Sequence, residues 1–125
     1  MYKFHSESAK EVPLPPECTF AQALNGLNPE TNSFFILDRN KEEYMQCGGS
    51  MAICTVEVRL AIEGGSHMRF TIGHRIGPED PVHIPMSDGG VTVLRREALA
   101  LPEAVRLFDA FFSGEPIPPD RKSVV

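Results

Sequence analysis

Between Ile53 and His74 the chain alternates apolar and polar residues twice, on either side of a glycine-rich break. In the first run Cys54, Val56, Val58, Leu60 and Ile62 fall on one side, and Thr55, Glu57, Arg59, Ala61 and Glu63 on the other. After Gly64-Gly65-Ser66 the pattern resumes, with Met68, Phe70 and Ile72 opposed by Arg69, Thr71 and Gly73. Period-two alternation broken by glycines predicts a half-buried β-hairpin. A helix period cannot produce it, so the chain needs a sheet, and something must cover the apolar side. The other side carries Glu57, Arg59 and Arg69. If Ile62 pairs with Met68, Arg59 faces Thr71 and these charges lie close together. Such a cluster is either a solvated cross-strand network or a surface that meets a partner.

The cover is legible near the C-terminus. Pro102 suits the first helical position, and Glu103 follows where the helix dipole favours negative charge. Ala104, Val105, Phe108, Phe111 and Phe112 then recur as one apolar stripe, with Arg106 and Asp109 opposite and Gly114 as a stop. Upstream, Tyr2–His5 is a candidate strand, and Pro13, Pro15 and Pro16 enforce a non-helical connector. Thr19 caps a short helix through Leu24 whose stripe is Phe20, Ala23, Leu24 and Leu27; Gly26 and Pro29 stop it. Ser33–Asp38, apolar enough to be buried on both faces, and Tyr44–Cys47 form a hairpin around the charged turn 39–43, ending at Gly48-Gly49. Val82–Ile84 and Val91–Leu94 are further strands between the turns 77–81 and 87–90. The expectation is an α+β domain: a mainly antiparallel sheet of five to six strands, covered by the C-terminal helix, with a short N-terminal helix. With 125 residues the chain makes one domain, 1–125, able to bury roughly two-thirds of its unfolded surface. Residues 1–19 and 115–125 are expected to be extended or mobile, with Pro116–Pro119 running extended.

Charge and cysteine content narrow the function classes. A net charge of −5 and a sequence pI near 5.3 oppose nonspecific nucleic-acid binding, which needs a basic footprint, and suit a basic protein partner. No apolar run approaches the roughly 18 residues of a membrane span, and the first residues lack the apolar core of a signal peptide. A cytoplasmic protein with no membrane or nucleic-acid partner is therefore expected. Cys18, Cys47 and Cys54 lack CxxC spacing and are read as reduced thiols. His67, His74 and His83 with Cys47 and Cys54 match no compact zinc motif. Cys47 with His74 is a conceivable thiol–imidazole pair, but Gly49-Ser50 has no recognisable base, and the glycine pairs lack a phosphate-cradling motif. No catalytic residue, metal or cofactor is assigned, and the chain is expected not to be an enzyme. A small hydrolase or metal-dependent enzyme built on these His and Cys residues is the alternative.

The order of short motifs resembles the first-described immunity-protein family of bacterial polymorphic toxin systems, which is associated with nucleic-acid deaminase toxins. The resemblance is carried by Phe34-Phe35-Ile36-Leu37, by Tyr44-Met45-Gln46 before a glycine pair, and by Val56-Glu57-Val58-Arg59. It continues through Val91-Thr92-Val93, Glu103-Ala104, Leu107-Phe108, Phe111-Phe112 and Gly114-Glu115-Pro116, over roughly the C-terminal three-quarters. Glu57 matches the strand glutamate of that family. Where the family commonly places a tail tryptophan, this chain has Asp120-Arg121-Lys122 and no tryptophan anywhere. The resemblance implies an antitoxin that binds a cognate toxin domain, a nucleic-acid deaminase or nuclease, and occludes its active site. On that reading Glu42, Glu43, Glu57, Glu79 and Asp80 supply negative charge for a basic cleft, and Tyr44, Gln46 and Arg59 are anchors.

Overall fold

A computed structural model describes residues 1–116 and the backbone of 122–124. The elements run β1 (Lys3–Ser6), α1 (Phe20–Leu24), β2 (Phe34–Asp38), β3 (Tyr44–Gly49), β4 (Cys54–Ala61), β5 (His67–Ile72), β6 (Pro81–Ile84), β7 (Val91–Leu94), α2 (Leu101–Phe112) and β8 (Lys122–Val124). One antiparallel sheet has the order β1-β2-β3-β4-β5-β8, and β6 pairs with β7 in a small second sheet. The expected α+β architecture, with the C-terminal helix against the sheet, is what the chain adopts.

Alternation places Phe4, Phe35, Leu37, Met45, Cys47, Val56, Val58, Phe70 and Ile72 on one face, all buried. Against it lie Phe20 and Leu24 of α1 and Ala104, Phe108 and Phe111 of α2, also buried. Phe108 packs on Phe20 and Phe4 at ring-centroid distances of 5.7 and 6.1 Å, while Phe4 and Phe20 meet edge-on at 5.3 Å. Each fully buried ring contributes about 1.5–3 kcal/mol, so this aromatic triangle is a principal tie between helices and sheet. The approach to α2 is fixed by a two-bond bridge between Cys54 and Leu99 (3.0 and 2.7 Å). Its far end is clamped by Arg39, which donates to the Phe111 carbonyl (3.0 Å) and stacks 3.9 Å from the Phe111 ring centroid. A cation there also complements the negative end of the helix dipole. The capping box of α1 pairs Thr19 with Gln22, as its sequence implies.

Several expectations are corrected. β1 lies one residue further on than the expected Tyr2–His5, at Lys3–Ser6, and Val12 N–H bonds the Phe4 carbonyl (2.8 Å). β2 is buried on alternate residues only; Phe34 and Ile36 are half-buried because no helix covers that side. The tail contributes β8, pairing Ser123 with Thr71, through backbone bonds that no side-chain pattern announces. The extended segment expected at 116–119 lies, beyond Pro116, outside the described residues. The central hairpin is shifted by two residues from the expected register: Leu60 pairs with Met68, Arg59 with Arg69 and Glu57 with Thr71. A bond from Ile62 N–H to the Ser66 carbonyl (2.9 Å) closes the loop there, with Gly64 and Gly65 at φ 85° and 78°. Those positive φ values are open to glycine at no steric penalty. A slip of two preserves which face each residue occupies but changes every partner across the ladder. Ile62 and Met68, on the inward side of the pattern, remain 42% and 36% exposed at the hairpin tip.

Candidate functional site on the open sheet face

The face opposite the helices is polar, and antiparallel pairing arranges it in rows across the strands. Asp38, Tyr44, Arg59 and Arg69 make one row; Ile36, Gln46, Glu57 and Thr71 make the next; Phe34, Gly48 and Thr55 the third. Neighbouring strands stand about 4.8 Å apart, so side chains in adjacent positions touch. Tyr44 OH donates to Glu57 Oε2 at 2.8 Å. Burial of the Tyr44 phenol and the adjacent Glu57 carboxylate raise its pKa above the ordinary 10.0, while Arg69 pulls the other way. Arg59 and Arg69 face each other directly, and neither has an ion-pair partner among the described residues. Like charges directly opposite destabilise a ladder, so this pair is not explained by stability of the fold. With Tyr44 and His67 they line a shallow cationic depression.

Toward the other end of the face, β6 and β7 fold over the third row. A Cβ on Gly48 would lie 2.7 Å from Met86 Cε, so the absence of a side chain lets the hairpin close down on the sheet. Between hairpin and sheet remains a pocket of about 230 Å³ floored by Gln46, Thr55, Glu57 and Thr71. Met86, Val91 and Val93 form its apolar side, and Asp88 stands among the lining residues. The hairpin is held by Glu7, whose carboxylate accepts from Ser33 N–H (2.7 Å), Ser33 OH (2.8 Å) and Ser87 OH.

The eight residues singled out in the sequence thus divide. Tyr44, Gln46, Glu57 and Arg59 share the open face. Glu42 sits at its rim, 3.5 Å from His67 Nε2. Glu43 is tied into the β2–β3 turn, accepting from Asn40 and Arg39 and from Ala61 N–H. Its burial pushes the carboxyl pKa up, but these donors together hold it below the ordinary value. Glu79 and Asp80 precede β6 and face Arg96 (3.8 Å) and Arg95 (2.7 Å). The Arg95 guanidinium holds Asp80 below the ordinary carboxylate range. Three of the five acidic groups are therefore neutralised within the molecule. Thr55, Thr71, Asp88 and Met86 were not singled out. Their grouping comes from register and from the folding-over of a remote hairpin, which no local motif encodes.

Of the residues of the enzymatic alternative, only His67 reaches the open face; the others lie elsewhere. Cys47 and Cys54 are buried neighbours on the helix-facing side of β3 and β4; Cys54 and burial together raise the Cys47 thiol well above the ordinary range. His74 Nε2 lies 2.9 Å from Glu103 Oε2, and His83 is exposed on β6. Among the described residues no group of three His, Cys, Asp or Glu side chains is placed to hold a metal ion. No helix among them is long and apolar enough to cross a membrane. Compared with known proteins, the chain matches no family model, no curated protein and no solved structure.

Proposed function

We propose that this protein is an immunity protein that binds a cognate toxin domain through the open sheet face and occludes its active site. The observation that carries the reading is the Arg59–Arg69 couple, without an ion-pair partner among the described residues, beside the Tyr44–Glu57 hydrogen bond, on a face whose reverse side packs against helices. Tyrosine and arginine are enriched among interface hot spots, and here they stand on a rigid meander rather than on loops. A partner carboxylate between the two guanidinium groups would relieve their mutual repulsion, giving binding energy that the free protein forgoes. The net charge of −5 supports attraction to a basic toxin at longer range. The proposed setting is the cytoplasm, where the toxin would be met before it reaches its substrate.

The test is co-expression with any toxin-like domain that a neighbouring reading frame proves to encode. Wild-type protein is expected to form a stable complex with it and to restore growth. Arg59→Glu should weaken the complex at least about tenfold, the loss of one charge-assisted contact, with circular dichroism unchanged. Glu42→Lys should slow association at low salt, since Glu42 is exposed and only loosely paired. Glu43 is a poorer probe because its reversal would also break the turn. Failure to form a complex, or turnover of substrate by the purified protein alone, would overturn the reading.

A further inference from the structure

We propose that the pocket between the β6–β7 hairpin and the sheet receives one basic side chain, lysine or arginine, from the docked partner. The inference rests on the docking reading above and names the chemistry of one partner residue.

Four observations converge. First, the pocket is side-chain sized: about 230 Å³, below the roughly 300–1,000 Å³ of sites for drug-sized ligands. Second, among the described residues Glu57 and Asp88 line it and no basic one does, so an anion would be repelled and a cation is matched. Third, its floor presents unmet hydrogen-bonding capacity. Thr55 Oγ1 is buried with no partner among the described residues, an arrangement that costs free energy until a ligand supplies one. Glu57 Oε2 accepts from Tyr44, leaving Oε1 without a donor among the described residues. Fourth, Met86, Val91 and Val93 offer apolar contact, which suits the alkyl stem of a lysine or arginine while its head reaches the acceptors. A neutral polar group would satisfy the floor but not the charge; an aliphatic one would satisfy neither.

The experiment uses the free protein and small probes, so that it reads the pocket independently of any toxin. Amide shifts are followed by NMR at neutral pH during titration with N-acetyl-arginine amide and N-acetyl-lysine amide. N-acetyl-citrulline amide, the uncharged isostere of the arginine probe, and N-acetyl-glutamate amide are the controls. Saturable shifts at Gly48, Thr55, Thr71 and Val91 are expected with a cationic probe and not with the controls. Glu57→Gln should weaken that binding about tenfold, and Asp88→Asn, on an exposed turn, gives a second reading should the first variant fold poorly. Absence of saturable shifts, equal binding of citrulline amide, or indifference to both substitutions would overturn the proposal. If the cation binds while no toxin complex forms, the docking reading falls and the pocket stands. A complex with no probe binding gives the converse.

Discussion

Tyr44 couples the two halves of the open face, since its hydroxyl reaches Glu57 while Arg69 acts on it from the next strand but one. Burial first, and the Glu57 carboxylate second, disfavour the phenolate, so the folded pKa lies above the ordinary 10.0. The sign follows directly: a pKa raised on folding contributes stability below the unfolded value, and that contribution is lost as pH rises through the folded one. The chain has two tyrosines, so Tyr2→Phe leaves Tyr44 as the sole reporter. Its tyrosinate absorbance is expected to appear with a midpoint above 10.0, and Glu57→Gln should bring the midpoint down. A midpoint at or below the ordinary value, unaffected by that change, would contradict the geometry. At this scale the residue types were readable in the sequence, and Glu57, Arg59 and Arg69 were placed on one face correctly. Their partners were not, because a loop hydrogen bond between Ile62 and Ser66 decides the register.

The elements differ in what holds them. Helix α2 is fixed by apolar burial, so Phe108→Ala should destabilise the protein by about 3–5 kcal/mol, measured by denaturant unfolding. That is a large part of the roughly 5–15 kcal/mol typical of a domain. A loss under about 1 kcal/mol would mean that α2 does not pack as described. The β6–β7 hairpin instead depends on a polar latch. Ser87 hydroxyl first, then Ser33 N–H and hydroxyl, hold the Glu7 carboxyl below its ordinary 4.5. A depressed carboxyl contributes stability above the unfolded pKa and loses it as pH falls through the folded one. Acidification below 4.5 should therefore loosen the hairpin before the core. Protection of the Val91 and Ile84 amides, relative to the intrinsic exchange rate at each pH, is expected to fall on acidification and in Glu7→Gln, while Val58 and Phe70 stay protected. Uniform exchange across both sheets would refute the latch. The sequence marks β6 and β7 as strands without pairing them, and Glu7 and Ser87 are 80 residues apart, so no local pattern could join the latch.

For the whole molecule, α1, α2 and the sheet share one apolar core. Backbone circular dichroism and tyrosine fluorescence should consequently report coincident unfolding midpoints. The cysteines give an independent check. Cys47 and Cys54 are 0% exposed, whereas Cys18 is partly exposed. A thiol reagent added to the native protein should label Cys18 alone, with the other two reacting only in denaturant. Rapid labelling of all three would mean that the layer of α2 over β3 and β4 opens readily.

The sequence by itself determined most of the elements, and the faces of β4, β5 and α2, because alternation, helical stripes and capping residues act over a few neighbours. It likewise determined that Phe20 and Phe108 would be core and that Glu57 and Arg59 would not. Only the tertiary structure decided that Arg59 opposes Arg69, that the tail adds a strand, and that Glu43, Glu79 and Asp80 are neutralised from within. The pocket above Gly48 belongs to the same class. Each depends on loop closure or on contacts between remote segments, where the deciding free energy comes from geometry that no short window of residues contains.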